Sequence, residues 1–140
     1  MKKSLSVMLV AGLALVFGTA VGAGTSDNPG KAWLDAQTDP AAINVSGTWS
    51  SAELGNMSLS QAHGSREVTG INGSYVLTGV VSDKQLFLLI GDKSGDVYKC
   101  AILNSEGSDS LKGNYYYRTS RLNRGGLCQD KGYPLHLKKQ

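Results

Sequence analysis

The chain has 140 residues, of which 41% are hydrophobic and 18% are charged, and its formal net charge is +3. Fewer than 100 residues follow residue 44, where an N-terminal region of different composition ends, and this length suits one small domain. The fourteen basic and eleven acidic residues nearly balance, so the composition gives no reason to expect a nucleic-acid partner, which requires a concentrated basic surface.

The N-terminus has the organisation of a secretory signal peptide. Lys2 and Lys3 precede an apolar stretch that ends at Phe17, and small residues follow up to Ala23. A membrane anchor is the alternative, but the stretch falls short of the roughly 20 apolar residues that a spanning helix needs. We therefore expect residues 1–23 to be removed near Ala23, no transmembrane segment, and a soluble mature protein in the periplasm or outside the cell.

Residues 24–44 form a lead-in segment rich in Asp, Pro, Ala and Gly. A proline at position 29, after Asp and Asn, is typical of a helix start and predicts one short helix over residues 31–37. Trp33 and Leu34 are then expected to pack over one mouth of the following domain. A mobile tail is the open alternative.

From residue 45 onward the sequence alternates between short apolar-polar runs and turns that contain glycine. Eight strands are predicted, near residues 45–50, 56–62, 66–71, 74–81, 84–91, 95–103, 111–118 and 132–138. This alternation with a period of two residues indicates that one face of each strand is buried and the other is exposed to solvent. Asn72-Gly73 is a strong signal for a two-residue hairpin.

Short turns require consecutive strands to pair, and closure of the sheet removes its exposed edges. We therefore predict an all-β domain over residues 45–140, folded as a small eight-stranded antiparallel up-and-down (meander) barrel.

The fifth strand is apolar on both faces. Its outward residues, Phe87 and Leu89, need cover either from the lead-in segment or from a second copy of the protein. The sequence slightly favours a homo-oligomer through this face.

Cys100 and Cys128 are the only cysteines. In an oxidising compartment an even pair is most simply a disulfide, here worth about 3–4 kcal/mol in the chain-entropy model. A catalytic thiol and a two-cysteine metal site are weaker readings, because no local pattern marks a nucleophile or a second metal ligand.

Two short motifs carry a family resemblance. Ser46-Gly47-Thr48-Trp49 with Leu54-Gly55, and Val68-Thr69-Gly70 with the run Tyr75 to Gly79, resemble the avidin and streptavidin family and, more loosely, the lipocalin-like calycins. The resemblance covers about the first four strands and implies an eight-stranded barrel with a ligand cavity at one mouth. Ser50-Ser51 stand where the family has Tyr-Asn, and its later cavity tryptophans have no counterparts, so the resemblance argues against biotin. Trp49 is expected to plug one barrel end.

Candidate catalytic groups are few. His63 lies at a likely turn and His136 faces away from its apolar neighbours, which is typical of surface histidines. Residues 92–96 space oxygen ligands like a calcium loop but lack the completing glycine and distal glutamate, which favours a hairpin turn. We therefore expect no catalytic residues, no cofactor and no metal.

One constellation predicts binding. Tyr115 and Tyr117 share a face of the seventh strand, and Arg118, Arg121 and Arg124 continue into the loop of residues 119–131. A long loop at a barrel mouth commonly carries specificity, and arginines beside aromatics suit anionic groups. The predicted function is that of an exported, non-enzymatic binding protein for a small amphipathic or anionic ligand or an envelope partner. The alternatives are a protease inhibitor or other interaction module and, with less support, a small enzyme.

Overall fold

A computed structural model describes residues 29–118, 128 and 131–140 of the chain. The predicted signal peptide therefore lies outside the described residues. The elements are helix α1 (Pro29–Asp35) and strands β1 (Gly47–Ser51), β2 (Gly55–Gln61), β3 (Glu67–Asn72), β4 (Tyr75–Ser82), β5 (Gln85–Gly91), β6 (Val97–Ser105), β7 (Ser110–Tyr117) and β8 (Tyr133–Lys139).

The strands form a closed antiparallel barrel in the order β1 to β8. Closure occurs where Trp49 and Ser50 of β1 pair with Lys139 and Lys138 of β8. The predicted up-and-down barrel is confirmed, with strand ends displaced by at most two residues. Gly113 shows how closely the strands approach, because a Cβ there would collide with the carbonyl of Ile102.

The barrel interior is filled by the apolar side chains of the dry strand faces. Fifteen buried residues form this core, namely Val45, Trp49, Met57, Leu59, Val68, Leu77, Val81, Leu86, Leu88, Ile90, Ala101, Leu103, Leu111, Leu135 and Leu137. Such packing leaves the two ends and the outer wall as the surfaces on which a ligand finds room.

A second apolar cluster lies on the outer wall. Leu34 of α1 is buried against Phe87, Leu89 and Cys100, and the Trp33 ring meets the Phe87 ring edge-on at 5.6 Å between centroids. The helix is thus confirmed, but the expectation that Trp33 and Leu34 cover a barrel mouth is wrong. The outward apolar side chains of β5 supply the surface on which the helix packs.

This outer cluster also accounts for the two-sided apolar strand. Phe87 and Leu89 are only 7% and 6% exposed within a single chain. Cover from the lead-in segment, the alternative to self-association, therefore explains their apolar character. The expected disulfide between Cys100 and Cys128 is present and adds Cys128 to the same layer.

Residues 37–46 seal one end of the barrel through the buried side chain of Gln61. Its Oε1 accepts a hydrogen bond from the Val45 amide at 2.8 Å, and its Nε2 donates to the carbonyls of Ile43 and Ser65 at 3.1 and 2.9 Å. The carbonyl oxygen and the amino group of this side chain therefore both have hydrogen-bond partners. We call this end the basal end.

Candidate functional site

The opposite end of the barrel carries a group of tyrosines that we call the tyrosine mouth. It consists of Tyr75 at the start of β4, Tyr115 and Tyr117 at the end of β7, and Tyr133 at the start of β8. The register pairs Tyr115 with Tyr133 directly across the two strands. All four follow the inward alternation of their strands, so their rings stand where the apolar core meets solvent.

Three of these rings contact one another. The Tyr115 centroid lies 5.7 Å from that of Tyr117 and 5.5 Å from that of Tyr133, and Tyr117 and Tyr133 are 5.6 Å apart. The Tyr115–Tyr133 pair is stacked, whereas the other two pairs are edge-to-face. Packed rings are more rigid than isolated ones and offer a preformed aromatic surface.

Lys99 lies among these rings. It is paired with Ile90 and Tyr117 and shares the inward face of β6 with Ala101 and Leu103. Its Nζ atom is 5.4 Å from the Tyr75 centroid and 5.5 Å from the Tyr117 centroid. Both distances fall within the range of cation–π attraction.

The Lys99 ammonium has no carboxylate within 4.0 Å in the described part of the chain, where the ion pairs are Lys31–Asp35 and Lys112–Glu106. The rings stabilise the charge without neutralising it. Among the described residues, Lys99 therefore gives the mouth a positive group that no carboxylate pairs with.

The tyrosines differ in exposure. Tyr75, Tyr117 and Tyr133 are 37%, 52% and 40% exposed, whereas Tyr115 is half-buried beneath them. The hydrogen bond with the Tyr117 hydroxyl, followed by burial, raises the pKa of Tyr115 above its ordinary value. The Tyr115 hydroxyl therefore remains neutral and able to donate a hydrogen bond at neutral pH.

The structure brings together only part of the predicted site. Tyr115 and Tyr117 lie in the tyrosine mouth, while Arg118 turns to the outer face, where its Nη1 donates to the Val97 carbonyl at 3.3 Å. Arg121 and Arg124 lie outside the described residues. Their proposed contribution stays a prediction.

Sequence reasoning missed Lys99, Tyr75 and Tyr133 as partners in the mouth. The alternation of β6 contains the signal for Lys99, because this lysine shares its strand face with the core residues Ala101 and Leu103. A lysine in a strand is ordinarily assigned to the wet face, and only the pairing of β6 with β7 shows that this one ends beside Tyr117.

Trp49 lies at the basal end. Its side chain is 1% exposed, and its Nε1 donates to the Val45 carbonyl at 2.8 Å. The ring is therefore packed and satisfied, as a plug requires. The Nζ atom of Lys139 lies 5.7 Å from the ring centroid.

The weaker catalytic and metal candidates have ordinary surroundings. His63 is exposed in the turn after β2. His136, on β8, has its Nε2 atom 2.8 Å from the Ser110 hydroxyl, to which it is hydrogen-bonded. Asp92 accepts hydrogen bonds from Ser94 and Tyr98, which lower its pKa to about 2. Within the described ranges, no group of three or more His, Cys, Asp or Glu side chains is arranged to hold a metal ion.

Comparison with protein-family models, curated proteins and solved structures finds no match to this chain. The closed eight-stranded meander is compatible with a calycin-like barrel. Across the described residues, no helix has the length and apolarity that a bilayer crossing requires.

Proposed function

We propose that this protein is an exported, non-enzymatic binding protein that receives a small amphipathic anion at the tyrosine mouth. The observation that carries the proposal is the Lys99 ammonium held between Tyr75 and Tyr117, with no carboxylate partner among the described residues. The avidin-like and lipocalin-like resemblance supports the same class of function, ligand capture at a barrel mouth. The disulfide fits an oxidising compartment.

The chemistry of the mouth selects for two ligand features. An anionic group gains a charge-assisted hydrogen bond from Lys99, and an apolar or aromatic body gains contact with the tyrosine faces. Because the barrel core below the rings is filled, we expect such a ligand to bind at the rim of the barrel. Shallow binding of this kind predicts modest affinity and tolerance of ligand size.

The proposal is tested with 8-anilinonaphthalene-1-sulfonate, an aromatic sulfonate whose fluorescence rises on binding. We expect saturable binding to the mature protein and a loss of about tenfold or more in Lys99→Gln, because a charged hydrogen bond contributes about 1.5–3 kcal/mol. The matched control is Lys93→Gln, which removes the same charge from an exposed turn. Equal affinity of the two variants, both with unchanged thermal unfolding, contradicts the proposal.

A protein-interaction module, such as a protease inhibitor, is the second candidate. It is favoured by a surface groove of about 630 Å³ beside α1, whose apolar floor includes Val76, Val80 and Leu89 and whose rim includes Glu67 and Asp96. The test replaces Val76 or Tyr117 by a photo-cross-linking residue in the native host. Capture of one defined protein from position 76 and of none from position 117 favours this function over the first.

A further inference from the structure

The basal end holds a second concave surface, separate from the tyrosine mouth. It is a pocket of about 470 Å³ between the lead-in residues, the turn after β4 and the turn after β6. Its polar lining includes Lys84, Lys139, Ser105 and Ser108, and its apolar lining includes Ile43 and Leu111. Neither the fold nor the proposed function requires two lysines in one pocket.

Neither lysine has a carboxylate partner within the described ranges. The salt bridges among the described residues join Lys31 to Asp35 and Lys112 to Glu106, which leaves Lys84 and Lys139 without an acidic group within 4.0 Å. Two like charges that line one pocket repel each other, and an anion between them removes that repulsion.

The position of Lys139 depends on two neighbours. Its Nζ atom lies 5.7 Å from the centroid of the buried Trp49 ring, which attracts the ammonium. Its Cε atom lies 2.7 Å from the position that a Cβ on Gly47 would occupy. The absence of a side chain at Gly47 therefore lets Lys139 lie across the barrel end.

Two acidic side chains of the turn after β6 already have partners. Glu106 pairs with Lys112 at 3.6 Å, and Asp109 accepts a hydrogen bond from the Ser108 hydroxyl at 3.3 Å. Ser105 donates its hydroxyl to the Gly107 carbonyl. Both serine oxygens retain acceptor capacity, and reorientation of either hydroxyl provides a further donor to a bound oxyanion.

We propose that the basal pocket binds the phosphate group of a small phosphate monoester. Two ammonium groups and two hydroxyls suit a phosphate with several acceptor oxygens better than a single carboxylate. The pocket exceeds the volume of one phosphate, and Ile43 and Leu111 offer an apolar wall to the organic part of the ester.

The test measures thermal unfolding and calorimetric binding of the mature protein with phenyl phosphate, inorganic phosphate and sodium chloride at equal ionic strength. We expect saturable stabilisation by both phosphates but not by chloride, with phenyl phosphate binding several-fold more tightly than inorganic phosphate. Equal affinity for the two phosphates overturns the assignment to an ester, and stabilisation that only follows ionic strength overturns the site.

Variants localise the effect. The double variant Lys84→Gln/Lys139→Gln is expected to lose phenyl phosphate affinity about tenfold or more. The control double variant, Lys93→Gln/Lys138→Gln, removes the same charge outside the pocket and is expected to keep wild-type affinity. Equal losses in both variants contradict the proposal. Lys99→Gln provides an independent check, because it impairs binding at the tyrosine mouth and leaves the basal pocket unchanged.

Discussion

Replacement of Gln61 by Leu tests how the lead-in segment closes the basal end. The substitution keeps the size of the buried side chain approximately and removes its three hydrogen bonds, to the Val45 amide and to the carbonyls of Ile43 and Ser65. The Val45 amide is buried and loses its acceptor, while the two carbonyls lie nearer to water. At about 1–3 kcal/mol for the buried amide and about 0.5–1 kcal/mol for each of the two carbonyls, the expected loss of unfolding free energy is about 2–5 kcal/mol.

The loss is measurable by chemical denaturation and by calorimetry. A domain of this size is expected to show a decrease in Tm of about 10–20 °C. Gln85→Leu is the matched control, because the Gln85 amide bonds, within the described residues, only to the exposed Asn104 side chain. A change of less than about 0.5 kcal/mol in Gln61→Leu, no larger than in the control, refutes the reasoning.

The variant Gln61→Glu tests the direction in which stability changes with pH. The carboxylate still accepts from the Val45 amide but cannot donate to either carbonyl, and its burial raises the pKa of the new acid above its unfolded value. Folding then favours the protonated form, so the stability of the variant relative to wild type rises as pH falls toward the unfolded pKa, near 4.3. A deficit that is constant between pH 7 and pH 4 argues against a buried side chain at this position.

Three further predictions address the turn and the outer wall. Hydrogen bonds from Ser94 and Tyr98 lower the pKa of Asp92 to about 2. The contribution of Asp92 to stability is therefore complete above about pH 4 and is lost as pH falls toward 2. NMR titration of the Asp92 carboxyl is expected to give a midpoint of about 2. Replacement of Cys100 and Cys128 by Ser is expected to cost about 3–4 kcal/mol in denaturation, because their bond closes a 28-residue separation. Leu34→Ala is expected to cost about 2 kcal/mol, at the lower end of core truncations because the outer layer is only one helix thick.

Each of these has an outcome that contradicts it. A midpoint near 4 for Asp92 means that its turn is open in solution. A cysteine variant as stable as the wild type shows that the bond constrains little of the unfolded chain. Wild-type stability in Leu34→Ala places the helix away from Phe87.

The sequence predicted the barrel because its determinants are local. Asn72-Gly73 specifies a hairpin, and the alternation of Leu135 and Leu137 with Pro134 and His136 specifies which face of β8 is dry. Closure follows from consecutive pairing and the need to remove edges. The disulfide is predictable from the cysteine count together with the expected oxidising compartment.

The remaining features depend on contacts between distant segments. The sequence offers the lead-in as one possible cover for Phe87 but does not show that Trp33 and Leu34 provide it, so it predicts a position over a mouth for these two residues. Lys99 was overlooked because its place at a barrel end depends on the registers of three strands. A bulge between Ile90 and Gly91 shifts one of these registers.

The binding account is tested most directly by NMR titration of the protein without its predicted signal peptide, labelled at its tyrosines and tryptophans, with 8-anilinonaphthalene-1-sulfonate. Trp33 reports on the outer wall, Trp49 on the basal end and the tyrosines on the mouth. The account predicts saturable shifts of Tyr117 and Tyr133 that are lost in Lys99→Gln. Saturation at Trp33 or Trp49 with no response from these tyrosines contradicts it.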